Sequence, residues 1–112
     1  MASQLIPEEL LERVAQRFKT LSEPIRLQLL NQMMVTSDEM SVMQLVEETG
    51  QQQANVSKHL TLMAREGILV RRKEGQKVYY RINDPSIHGI CTLVCGRLQE
   101  EVGSDQELVE KT

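Results

Sequence analysis

The stretch that decides the fold is Ser41-Val42-Met43-Gln44-Leu45-Val46-Glu47-Glu48-Thr49-Gly50, followed after Gln51-Gln52 by Gln53-Ala54-Asn55-Val56-Ser57-Lys58-His59-Leu60-Thr61-Leu62-Met63-Ala64-Arg65. Ser41 and Gln44 have capping-box spacing, in which the hydroxyl and the amide side chain reciprocally satisfy free backbone N–H groups. They predict a short helix, closed by Gly50. Val56, Leu60 and Met63 then recur at i, i+4 and i+7 and predict a second helix that stops near Gly67. On a helical wheel Ala54, Ser57, Lys58, Thr61 and Arg65 fall opposite that apolar stripe. One side of this helix is built for a core and the other for a polar, anionic surface.

Downstream, Ile68 to Lys73 and Lys77 to Ile82 read as two strands joined at Glu74-Gly75-Gln76. Val78, Tyr80 and Ile82 alternate with Lys77, Tyr79 and Arg81, giving one buried and one wet face. Upstream, Leu10, Leu11, Val14, Phe18 and Leu21 predict an amphipathic helix from Pro7. Ser22-Glu23-Pro24 restarts a helix with Ser22 as its cap, buried through Ile25, Leu29, Leu30 and Met33, and ending near Val35 at the turn-like Thr36-Ser37-Asp38. Asp84-Pro85 opens a last helix to about Glu101, with Ile87, Ile90, Val94 and Leu98 in line. Short helix, glycine turn, polar-faced helix and basic hairpin follow one another in the order of a winged helix-turn-helix. The fold class expected is mainly α with a small β-hairpin, about five helices plus a two-stranded wing. Residues 1–102 form its single domain, and residues 103–112 a polar, frayed tail.

The formal charge of -3 over 112 residues conceals its distribution. Residues 1–50 hold 4 Lys/Arg against 8 Asp/Glu, residues 51–81 hold 7 against 2, and residues 82–112 hold 2 against 6. The basic third coincides with the polar helix and the hairpin, as a phosphate-binding face requires. No apolar run approaches the roughly 20 residues that span a bilayer, and no leader is evident. A cytoplasmic protein without membrane contact is expected, with Cys91 and Cys95 as thiols rather than a disulfide framework. The six methionines read as core filler.

Leu21-Ser22-Glu23-Pro24-Ile25-Arg26-Leu27, Val56-Ser57-Lys58-His59-Leu60, Gly67-Ile68-Leu69-Val70 and Val78-Tyr79-Tyr80 together resemble the ArsR/SmtB family of small bacterial repressors, in the right order across about residues 10–100. The resemblance implies a homodimer built on the first and last helices, repressing promoters by binding double-stranded DNA at an imperfect palindrome. It also implies DNA contacts from Gln53, Asn55, Ser57, Lys58 and His59, with Thr61 on the same polar face and Arg71, Arg72, Lys73, Gln76 and Lys77 on the wing. Gln53 and Asn55 suit adenine, and Lys58 a phosphate or guanine. His59 lies near the buried face, so a structural hydrogen bond is an equal reading for it. Gln52 stands where the family usually has a small cap, which leaves the start of the helix open.

Many relatives sense a metal or metalloid. The cysteines that some carry on the third helix are missing from Val42-Met43-Gln44-Leu45-Val46, and in the last helix Ser86 and Arg97 replace the histidines that would join Asp84 and Glu100 around zinc. What remains is His88, Cys91 and Cys95 at i, i+3 and i+7, a soft-ion or redox site if a second subunit completes it, or plain interface packing if not. Two other functions stay open: a winged-helix protein-interaction module whose acidic flanks bind another protein, and a DNA-binding regulator with no inducer site. A thiol enzyme is disfavoured, since no base is paired with either cysteine, and no catalytic residue is assigned.

Overall fold

The computed structural model describes residues 5–36 and 38–110, with side chains to residue 103. A single 3-10 turn, Glu8–Leu10, leads into α1 (Leu11–Leu21), α2 (Pro24–Thr36), β1 (Met40–Ser41), α3 (Val42–Thr49), α4 (Gln53–Arg65), β2 (Leu69–Glu74), β3 (Lys77–Ile82) and α5 (Ser86–Glu110). The expected helices and hairpin are present. Ser37, in the turn expected after the second helix, lies outside the described residues, as do residues 111–112 of the tail.

The capping box forms as its spacing requires: Gln44 N–H donates to Ser41 Oγ at 3.1 Å, and Ser41 N–H donates to Gln44 Oε1 at 2.8 Å. Gly50 ends α3 in the left-handed region at φ 70°, where a side chain would be strained. Helices and strands then converge on one core. Leu29, Leu30 and Met33 of α2, Leu45 of α3 and Val56, Leu60 and Met63 of α4 pack against Ile68, Leu69, Tyr80 and Ile87. Complete burial of such a side chain stabilises by about 1.5–3 kcal/mol.

Three expectations are corrected. The sheet has three strands in the order β1-β3-β2, because the short segment before α3 pairs Met40 with Tyr80 and Ser41 with Tyr79. Two residues flanked by a helix cap carry no alternation that a sequence could reveal. Ser22 does not cap α2; its hydroxyl donates backwards to the Lys19 carbonyl at 2.7 Å, and the Glu23 carbonyl accepts the first amides of α2. The last helix does not stop near Glu101 but runs to Glu110. A glycine such as Gly103 costs a helix only about 1 kcal/mol relative to alanine, and no proline follows it.

The chain is broad and flat, 57 × 48 × 22 Å, with a radius of gyration of 17.3 Å, where about 13 Å is usual for this length. The cause is α5, which leaves the body after Cys91. Leu93 is 76 % exposed, and Val94, Leu98 and Val102 each more than half. Leu10, Leu11 and Phe18 of the first helical segment are uncovered as well. Apolar stripes of this extent on two helices need a second copy to cover them. Leu98→Glu is expected to convert the protein from dimer to monomer in sedimentation at micromolar concentration while retaining its helical circular dichroism; a variant that stays dimeric would place the interface elsewhere.

Candidate nucleic-acid interface

Burial of Val56, Leu60 and Met63 fixes which way α4 turns. Gln53, Ala54, Asn55, Lys58, Thr61 and Arg65 are consequently exposed, with Ser57 at the margin. Gln52 precedes the helix in extended conformation and makes no side-chain cap bond. The first-turn N–H groups, which have no intrahelical acceptor, therefore border a shallow concavity of about 650 Å³ lined by Gly50, Gln51, Gln52, Ala54, Asn55 and Lys58. The partial positive charge of a helix start and an ammonium group meet at this spot, an arrangement suited to an anion.

His59 is placed differently from its neighbours. It is only 8 % exposed, and its Nδ1 accepts a hydrogen bond from Arg26 Nε at 3.1 Å. Arg26 in turn donates to the Thr20 carbonyl at 3.1 Å, joining α4 to the α1–α2 corner. An arginine can only donate, so Nδ1 must be unprotonated and the ring neutral. Of the two readings open from the sequence, the structure places His59 on the structural one, and it leaves the set of exposed contact residues.

On the wing, Arg71, Arg72, Lys73, Gln76 and Lys77 are all exposed. Arg72 nonetheless differs from the others: it is ion-paired with both Glu39 and Glu74 and lies over the ring of Tyr79. Arg71, Lys73 and Lys77, like Lys58, carry no ion pair among the described residues, so their charges are available to a ligand.

A second joint was not legible in the sequence. Arg17 of α1 pairs with Asp84 and also donates to the Glu66 carbonyl, at the end of α4, at 3.1 Å. Asp84 accepts from the Ser86 N–H at 2.9 Å and the Ser86 hydroxyl at 2.7 Å. Burial alone would raise the Asp84 pKa, but the bonds from Ser86 and then the charge of Arg17 outweigh it and hold the carboxyl below its ordinary range. Arg17 thus ties the start of α5 to the end of the polar-faced helix. Partners 67 and 49 positions away leave no local signal.

The soft-ion trio is not gathered within one chain. No group of three His, Cys, Asp or Glu side chains suited to a metal occurs among the described residues. Cys91 is half-buried against the core and its thiol is pushed up by burial and by Cys95, whereas Cys95 and His88 are exposed. The reason is axial spread along one helix, where i and i+7 lie two turns, roughly 10 Å, apart. All three nevertheless border a groove of about 1170 Å³ between α5 and α2, otherwise walled by Phe18, Leu27, Ile90 and Leu98 among other apolar side chains. Asp84 is committed to Arg17 and Ser86, and Arg97 to Glu100 and Glu101.

Comparison with known proteins gives a consistent result. Residues 23–70 match the model of a bacterial regulatory protein family, arsR. The transcriptional repressor PagR of Bacillus anthracis is 34% identical over 84 residues, which cover 75% of this chain and 83% of that protein. Among solved structures, the homodimeric winged helix-turn-helix DNA-binding domain Mb0332 (fragment 1–100) of Mycobacterium bovis superposes with a TM-score of 0.71 at 30% identity, covering 89% of this chain and 92% of that one. The AntR antimony-specific transcriptional repressor superposes with a TM-score of 0.80 at 27% identity, covering 92% of each chain.

The His59 bond sets a pH dependence. Burial first, then the charges of Arg26 and Lys58, lower the His59 pKa, with Glu23 opposing them. An unfolded histidine titrates near pH 6.5, so the stability tied to the neutral ring is complete above about pH 6.5 and is lost as pH falls through the depressed folded value. The thermal midpoint of the wild type is expected to decline as pH falls below about 6.5, and His59→Gln is expected to flatten that decline. Equal slopes in the two proteins would show that another group titrates.

Proposed function

The chain belongs to the arsR family of bacterial regulatory proteins, and from that premise we propose that this homodimeric, DNA-binding transcriptional regulator is a repressor that reads its operator with α4 and is released by a thiol-directed signal. The single observation that carries the reading is the division of α4. Its inner face is fixed in the core by Val56, Leu60 and Met63, and its outer face holds Gln53, Asn55, Ser57, Lys58 and Thr61 beside an uncapped helix start.

An α-helix fits the major groove, where an amide side chain can pair with adenine through two hydrogen bonds. Gln53 and Asn55 suit that role; Ser57 and Thr61 reach a base or a phosphate. Lys58 and the free first-turn N–H groups of α4 would clamp one phosphate between them. Arg71, Lys73, Gln76 and Lys77 lie on the wing, where they meet the flanking backbone. Two-fold symmetry would place the two α4 helices in successive major grooves, about 34 Å apart, over an imperfect palindrome. No helix among the described residues is long and apolar enough to cross a membrane, and a cytoplasmic site of action goes with this reading. We assign no catalytic residue.

For the signal, Cys91 and Cys95 of α5 stand on one wall of the groove, with His88 one turn before Cys91. A thiophilic ion or an oxidant entering there would act on a dimer element that Arg17 joins to the end of α4. The named relatives include an antimony-specific repressor, which supports a soft ion. Cys91→Ser with Cys95→Ser is expected to keep DNA binding and to lose release by arsenite, antimonite, zinc or a mild oxidant. A double variant still released by one of these agents would remove the thiols from the signal path.

DNA binding itself is tested by fluorescence anisotropy on a duplex from the gene's own upstream region at several salt concentrations. Lys58→Ala is expected to weaken binding and to lower the salt slope by about two per dimer, one for each lost phosphate contact. An unchanged slope would take Lys58 off the backbone, and no binding by the wild type to this or a random duplex would defeat the reading.

A further inference from the structure

The sheet order puts β1 and β2 on opposite edges with β3 between them. Arg72 of β2 stands opposite Tyr79 of β3, and Tyr79 opposite Ser41 of β1, so the three side chains share one face. Glu39, two residues before Ser41, falls on that face too. The Arg72 guanidinium crosses the sheet 4.6 Å above the Tyr79 ring. Its Nε lies 3.0 and 3.2 Å from the two carboxylate oxygens of Glu39, and Nη2 donates to Oε1 at 2.5 Å. Nη1 donates to Glu74 at 2.8 Å.

All three guanidinium nitrogens are therefore committed and one face of the group is covered. The fork made by Nε and Nη2 is taken by the two-point Glu39 contact, so a phosphate reaching Arg72 is left the second N–H groups of Nη1 and Nη2 and cannot use that fork without displacing Glu39. The far end of the contact also matters. Glu39 precedes Ser41, the cap of α3, by two residues, so the belt runs from the outer strand of the hairpin to the first helix of the helix-turn-helix.

Resting on the DNA-binding reading, we propose that Arg72 is a positioning residue rather than a DNA contact: with Tyr79 and Glu39 it forms a belt that locks the wing to the α3–α4 unit. The belt sets where the neighbouring Arg71 and Lys73, which carry no ion pair among the described residues, meet the DNA backbone. Glu39 then belongs to the DNA-binding apparatus despite its negative charge. The carboxyl is held below its ordinary range, first by the hydrogen bond from Arg72, so Glu39 is charged at neutral pH.

The sign of the Glu39 effect separates a belt from a contact. In anisotropy on the upstream duplex, Glu39→Gln and Arg72→Ala are each expected to weaken binding about 3- to 10-fold with the salt slope of the wild type. The two together should weaken it no further than either alone. Arg72→Lys, which keeps the charge and loses the fork, should weaken binding to the same extent, and serves where another variant does not fold. Tighter binding by Glu39→Gln, a slope lowered by about two per dimer in Arg72→Ala, or wild-type affinity in Arg72→Lys would each make Arg72 a phosphate contact and overturn the proposal.

The belt also has a readout without DNA, so its failure is distinguishable from that of the DNA-binding reading. In nitrogen-15 spectra the Arg72 Nε–H should exchange slowly in the wild type and rapidly in Glu39→Gln. Rapid exchange in both would overturn the belt whatever the protein binds.

Discussion

Everything the molecule does with its surface depends on the burial of three side chains on α4. Val56, Leu60 and Met63 are completely enclosed by α2, α3 and the base of the sheet. Because an α-helix is rigid, fixing this stripe fixes the azimuth of every other residue on α4. Gln53, Asn55, Lys58 and Thr61 need no interactions of their own to point outwards. The apolar contacts that stabilise the fold are therefore also the ones that present the polar face, and loosening the core would blur recognition before it unfolded the chain.

The features legible in the sequence are those carried by short-range patterns. The Ser41–Gln44 box, the Gly50 stop, the i, i+4, i+7 stripe of α4 and the alternation of Val78, Tyr80 and Ile82 each lie within a few residues, and each reappears in the structure. What escaped lies far apart in the chain. Strand β1 is defined by pairing Met40 with Tyr80 and Ser41 with Tyr79, far along the chain, and Arg17 is defined by Asp84 and the Glu66 carbonyl. Ser22 shows a related failure: its hydroxyl can serve the helix before it or the one after it, and residue type does not choose between them. Among the candidate contact residues, the charge pattern marked Lys58, Arg71, Arg72, Lys73 and Lys77 alike, and nothing local revealed that Glu39 would engage Arg72.

Charged groups thus divide into two sets with different physics. Arg17, Arg26 and Arg72 are satisfied within the chain and join elements: α1 to α4 and α5, the α1–α2 corner to His59, and the wing to the α3 cap. All three are arginines, whose planar fork can hold two acceptors at once. The cations without ion pairs among the described residues include Lys58, Lys73 and Lys77, whose compact ammonium groups suit a phosphate backbone that must be gripped and released. A negative net charge is then no obstacle to DNA binding. Some of the acidic residues, Glu39 and Asp84 among them, are used to fix an arginine.

The same division bears on how a signal could travel. Among the described residues helix α5 touches its own chain chiefly through Ile87 and the half-buried Ile90 and Cys91, which leaves most of its length for a partner copy to pack. Its first turn, however, is fixed to α1 and to the end of α4 through Asp84 and Arg17. A change in how two α5 helices pack would therefore be felt at the C-terminal end of α4, through the Arg17–Asp84 pair and the Glu66 carbonyl. The distance between the two recognition helices of a dimer must match successive major grooves. The core that orients α4 within one subunit does not fix that distance, and the weakly anchored α5, with few contacts of its own, is the element left to set it in the proposed dimer.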